Sequence, residues 1–233
     1  MPMEHIHRFE TRPALAQALA DAVVAALEAA LAERGAASLA VSGGSTPKLF
    51  FEVLSQRPLD WANVTVTLVD ERFVPPESDR SNHKLVATHL LKGAAEKADF
   101  VPLFHAGVSA EEAAVIASQE TCGIDEPFDA VILGMGTDGH TASFFPGGNA
   151  LAEAIDASAT RGVMTMEAPG AGEPRLTFTF SALRDARFLA LHIEGGEKLT
   201  VLQDALADGP EEDMPVRAVL RRSLSPLEIF WAP

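Results

Sequence analysis

Ser38-Leu39-Ala40-Val41-Ser42-Gly43-Gly44-Ser45-Thr46-Pro47-Lys48 joins a strand to a helix through a glycine turn. Ser38–Val41 is short and apolar, as a buried strand is. Gly43 and Gly44 let the chain turn, Thr46 has N-cap chemistry and Pro47 suits the first helical position, so the pattern predicts a helix over Lys48–Leu54. A strand feeding directly into a helix is the repeating unit of a parallel sheet.

The alternation extends both ways. Upstream, Thr11 caps a helix whose stripe Leu15, Leu19, Ala22, Val23, Ala26, Leu27 and Ala30 has a 3.6-residue period, and Gly35 stops it. Downstream, the β-branched run Val64–Val69 reads as a strand ending at Asp70-Glu71-Arg72. A helix from Asn82 to Leu91 follows, capped by Ser81, then a short strand over Phe100–Leu103. Ser109-Ala110-Glu111-Glu112 has the capping-box pattern and opens a helix to about Thr121. Phe128–Leu133 is a continuous apolar run, the mark of a strand buried on both faces. Val163–Met166, Leu176–Phe180, Phe188–Ile193 and Leu227–Trp231 read as further strands, with a helix over Glu197–Ala207. No composition break or repeat divides the chain. The expectation is one α/β domain over residues 1–233, Rossmann-like, with a mostly parallel sheet flanked by helices on both faces.

Composition narrows the partners. Eighteen basic against 33 acidic side chains leave a net charge of −15, which excludes non-specific binding to nucleic acid. A hydrophobic content of 47% supplies a core and excludes intrinsic disorder. Cys122 is the single cysteine and the start MPMEHIHRFE has no apolar export region, so a reducing, cytoplasmic setting is expected. The Ala-rich stretch Ala14–Leu31 is interrupted by Gln17, Asp21 and Glu28, and no membrane span is expected. An anionic ligand would be repelled by the mean field and must be captured by local Arg, Lys and backbone N–H groups.

Three loops and a lysine meet that description. Ser42, Gly43, Gly44, Ser45 and Thr46 offer converging amides and hydroxyls ahead of a helix, a cradle for phosphate; a plain strand-to-helix turn is the alternative. Gly134, Gly136 and Gly139 satisfy G-x-G-x-x-G, but Pro146-Gly147-Gly148 leaves no room for the helix a dinucleotide site needs. What remains is a glycine-built turn presenting Asp138 and His140: either a general base oriented by a carboxylate, or a histidine capping backbone carbonyls. Arg72 and Arg80 either clamp a phosphate or neutralise Asp70, Glu71 and Asp79. Lys198, at a helix start, opposes the helix dipole and needs an anion nearby unless it is simply solvated. Scattered histidines offer no metal-ligand spacing, and neither a G-x-S-x-G elbow nor a Cys–His pair offers a nucleophile, so direct attack by water is the expected chemistry.

In their order, Val41–Pro47 (VSGGSTP), Val69–Phe73 (VDERF) with Ser81-Asn82, Leu133–Pro146 (LGMGTDGHTASFFP), Pro174–Thr177 (PRLT) and Gly195–Leu199 (GGEKL) resemble the 6-phosphogluconolactonase family. The related glucosamine-6-phosphate deaminases continue past the histidine as I-A-F-N-E-P; here Phe145 stands where their glutamate would be and cannot relay a proton. The resemblance implies hydrolysis of 6-phospho-D-glucono-1,5-lactone to 6-phospho-D-gluconate, without metal or organic cofactor, by a monomer. It implies His140 as general base with Asp138 beside it, and Arg72 and Lys198 on the phosphate within the Ser42–Thr46 loop. Arg80 and Arg175 become second-rank substrate contacts, and Asp70 takes an orienting role. A sugar-phosphate isomerase and a non-catalytic sugar-phosphate binder are the rivals.

Overall fold

The computed structural model describes residues 5–124 and 126–233. In chain order the elements are β1 (Ile6–Arg8), α1 (Arg12–Arg34), β2 (Ala37–Val41), α2 (Lys48–Leu54), β3 (Val64–Leu68), β4 (Asp70–Arg72), α3 (Asn82–His89), β5 (Asp99–Val101), α4 (Ala110–Thr121) and β6 (Ala130–Leu133). They continue with α5 (Leu151–Ala154), β7 (Val163–Met166), β8 (Arg175–Phe178), α6 (Phe180–Leu183), β9 (Phe188–Glu194), α7 (Gly196–Leu206), α8 (Val216–Arg222) and β10 (Leu227–Ala232). Seven strands form one parallel sheet in the order β1-β10-β9-β6-β2-β3-β5, covered by helices. A second sheet, β4-β8-β7, is antiparallel.

Local chemistry accounts for most boundaries. Thr11 Oγ1 accepts the Ala14 N–H, and Gly35, at φ 76°, closes α1. By length and composition α1 could cross a membrane. Instead Leu15, Leu19, Val23 and Leu27 are fully buried, in a helix that packs against α2 and the sheet. In α4 the capping box forms in both directions between Ser109 and Glu112. Strands β2 and β6 are buried along their whole length, which explains their unbroken apolar runs.

The structure corrects three expectations. Thr46 caps nothing: Pro47 occupies the N-cap, and α2 starts one residue later than its N1 proline would require. Asp70–Arg72 does not end the second strand but leaves the main sheet to pair antiparallel with β8. Leu176–Phe180 becomes β8, buried throughout, followed by a single helical turn. Elements not expected from sequence include β1, α5 and α8. β1 is a three-residue edge strand that needs the open side of β10. In α8 a buried arginine, Arg217, donates to the carbonyls of Asp204, Ala205 and Pro210.

Strand order positions the site. From β2 the chain moves outward to β3 and β5, then returns to place β6 on the other side of β2. The order therefore reverses between β2 and β6, and a crevice opens beyond their carboxyl ends, where open α/β sheets bind ligands.

Candidate active site

Loops leaving β2, β3, β6 and β9 meet in that crevice around an open cavity. Ser42, Gly43, Gly44, Ser45 and Thr46 line one side. Ser42 donates its N–H to Ile132 and accepts the Gly134 N–H on Oγ at 3.2 Å, which ties this loop to the next glycine turn. The amides of Gly43 to Thr46 donate to no protein acceptor among the described residues, so they are free for an anion. Gly43 has a steric reason: a Cβ there would sit 1.8 Å from Asn82 Oδ1.

Below lies Asp70-Glu71-Arg72. Glu71 is fully buried and accepts four hydrogen bonds, from the amides of Arg72, Asn82 and His83 and from Ser81 Oγ. Burial pushes its pKa above the ordinary glutamate value, a rise the four donors oppose. Glu71 thus anchors the start of α3 and needs no arginine. Asn82, one residue past the cap, reaches back to donate Nδ2 to the Asp70 carbonyl at 2.8 Å. Asp70 accepts from Ser143 Oγ at 2.6 Å and faces Arg175 Nη1 at 3.9 Å.

Arg72, Arg175 and Lys198 all reach the cavity, three cations converging in an acidic chain. Arg175 is buried, with Nη2 on the Ala171 carbonyl and Nε without a partner. Its pKa is drawn down by burial first, with Asp70 opposing and the like charge of Arg72 adding to it. A desolvated cation in that state gains from an arriving anion. Arg80 is a correction: its exposed side chain turns away to Glu173 at 2.8 Å and does not line the cavity, leaving only its carbonyl to receive Arg72 Nη1.

The turn after β6 also lines the cavity. Gly136 donates to the His140 carbonyl at 2.8 Å, and Gly139 to that of Gly136 at 3.2 Å. Asp138 Oδ1 sits 2.5 Å from His140 Nδ1 and also accepts the His140 N–H. A Cβ on Gly136 would fall 2.1 Å from Nδ1, so only glycine admits the pair. Burial works to raise the Asp138 pKa, but the hydrogen bond and charge of His140 outweigh it and hold the carboxyl below its usual range. Ionised, Asp138 accepts Nδ1–H and leaves Nε2 with the free lone pair.

Lys198 enters from α7, whose start is held by Trp231 Nε1 on the Gly195 carbonyl and by Gly195 N–H on Ala232. It is half-buried, and burial lowers its pKa against the opposing pull of Glu197 and Asp138. A bound phosphate favours the ammonium form. Affinity for a phosphate-bearing ligand should therefore be full below the lysine's free-state pKa and fall as pH rises through it, beginning under the ordinary lysine range. Calorimetric titration across alkaline pH checks this; Lys198→Arg should move the fall to higher pH, and an unmoved curve would exclude Lys198 as its source.

Asn82, quoted from sequence only as part of a matching stretch, lines the cavity with the buried His192, and Ser143 grips its wall; none of the three had a role assigned from sequence. Only tertiary contact reveals them; an asparagine one residue after a cap is the faint signal for the first. Among the described residues no group of three His, Cys, Asp or Glu side chains is placed to hold a metal ion.

Residues 10–231 match the model of a family described as glucosamine-6-phosphate isomerases/6-phosphogluconolactonase. A 6-phosphogluconolactonase of Rhizobium meliloti (strain 1021) is 66% identical over 98% of this chain and 99% of its own length. One of Mesorhizobium japonicum is 52% identical over 97% and 94%. The crystal structure of a 6-phosphogluconolactonase from Shewanella baltica OS155 superposes with a TM-score of 0.94 at 39% identity, covering 98% of this chain and 97% of that one.

Proposed function

The chain belongs to the glucosamine-6-phosphate isomerase/6-phosphogluconolactonase family, and on that premise we propose how its residues perform lactone hydrolysis. It is an enzyme that converts 6-phospho-D-glucono-1,5-lactone to 6-phospho-D-gluconate, the sugar-phosphate chemistry of its relatives. The observation that carries the mechanism is one cavity lined by His140, itself bonded to Asp138, together with free loop amides and three cations.

The phosphate sits on the Ser42–Thr46 amides and hydroxyls with Arg72 and Lys198, which lays the lactone carbonyl toward His140. Asp138 fixes the tautomer, so His140 Nε2 takes a proton as water attacks the carbonyl carbon. The tetrahedral intermediate collapses with cleavage of the ring C–O bond, and the ring oxygen leaves with the proton. Lactones are activated esters, so one base plus positioning suffices. Asp70, bonded to Ser143 and beside Arg175, orients the substrate. The same reading takes residues 1–233 as one catalytic domain, monomeric, cytoplasmic and independent of metal or organic cofactor. Against deaminase chemistry stands Phe145, an aromatic ring where a proton-relaying carboxylate would be required.

Acid release from freshly generated 6-phosphogluconolactone, followed beside a no-protein blank, tests the assignment. Turnover well above the blank, without ammonia release from glucosamine 6-phosphate, is expected. Decay at the blank rate would sink it.

A further inference from the structure

We propose that Phe145 is a positioning residue, its ring holding the His140 imidazole and the Arg175 guanidinium in one fixed arrangement; the proposal rests on His140 being the base. Phe145 is 3% exposed and does not line the cavity, so it can act only through neighbours. Two neighbours matter. The His140 ring lies against it with centroids 4.3 Å apart and planes inclined at 36°. The Arg175 guanidinium carbon lies 5.2 Å from the same ring centroid.

The geometry gives a reason for the ring. The hydrogen bond to Asp138 anchors one nitrogen, but a single bond leaves the imidazole free to swing about that contact. Gly136 closes in on the Nδ1 edge and leaves the ring plane undetermined. Packing against a second aromatic supplies the missing constraint, and tilted or offset ring pairs are favourable in themselves. Arg175, attracted to the same ring, is then set relative to the base, so Nε2 and a substrate-facing cation share one reference. The turn that delivers Phe145 is built for the purpose: Ala142 takes φ 50°, Thr141 bridges to Phe144, and the Phe145 carbonyl accepts the Gly148 N–H at 3.0 Å. A left-handed alanine is a strained choice retained inside the cavity wall.

The test compares Phe145→Leu, which keeps apolar bulk and loses the ring, with Phe145→Tyr, which keeps the ring. Loss of imidazole alignment should lower kcat on the order of 10- to 100-fold with KM and 6-phosphogluconate affinity little changed, and tyrosine should restore most of the rate. If the leucine variant does not fold, as judged by its melting transition, Phe145→Met takes its place. A kcat within about threefold of the parent in the ring-less variant, well below that expected loss, overturns the proposal. So does a loss carried by KM alone, or an equal loss in the tyrosine variant. His140→Ala is assayed alongside: if it retains turnover, the base assignment has failed; if it is inactive while Phe145→Leu is normal, only the positioning role has.

Discussion

His140→Ala is expected to lower kcat by on the order of 10²- to 10⁴-fold, the usual contribution of a general base, while 6-phosphogluconate still binds. The reason is that the proposed mechanism gives the two tasks to different residues. It assigns phosphate capture to the Ser42–Thr46 loop, Arg72 and Lys198, and proton transfer to His140, all of them lining one cavity. Removing the imidazole leaves the first intact. It also leaves the turn intact, because the bonds from Gly136 N–H to the His140 carbonyl and from Gly139 N–H to the Gly136 carbonyl use backbone atoms. A variant that kept most of its turnover would show that solvent water needs no base here. One that lost product binding as well would show that the histidine contributes to the ground state rather than to the chemical step.

Glu71→Ala is expected to destabilise the fold by about 3–5 kcal/mol, because removing a buried acceptor leaves several donors unsatisfied. Three backbone N–H groups and Ser81 Oγ end on this fully buried carboxylate, the Arg72 amide from β4 and the other three donors from the start of α3. For a chain of this size that loss corresponds to a fall in Tm on the order of 10 °C. The damage should spread to the site. Asn82, whose amide is one of the four donors, also supports the Asp70 carbonyl and presses on Gly43. Thermal unfolding and a KM measurement on the surviving fraction check both halves. A melting point within 2–3 °C of the parent, about the shift of a single kcal/mol, would show that the donors find other partners.

The mixed-charge loop illustrates what could not be read from the chain. Two outcomes were open for it, a phosphate clamp or mutual neutralisation, and the structure divides the arginines between them. Arg72 joins the cavity, Arg80 pairs with Glu173 ninety-three residues away, and Glu71 is satisfied by amides instead of by either. Local charge pattern carries no information about which carboxylate will be buried, since burial depends on β4 leaving the main sheet for β8. By contrast, the glycine turns were legible because their constraint is local. Gly136 makes room for a residue four positions on, and Gly139 takes φ 78° by virtue of the turn itself.

The amino-acid order alone determined the alternation of strands and helices, the caps at Thr11, Ser81 and Ser109, and the glycine loops to which the proposed mechanism assigns phosphate binding and proton transfer. Each depends on interactions spanning a few residues: side-chain period, capping hydrogen bonds, the torsional freedom of glycine. Tertiary structure alone decided that β6 lies beside β2, so that the two glycine loops face one cavity. It alone brought Asn82 to Gly43, Ser143 to Asp70, and Phe145 to both His140 and Arg175. Those contacts join groups whose partners are chosen by the burial of the whole core, a many-body outcome that no short window of sequence contains.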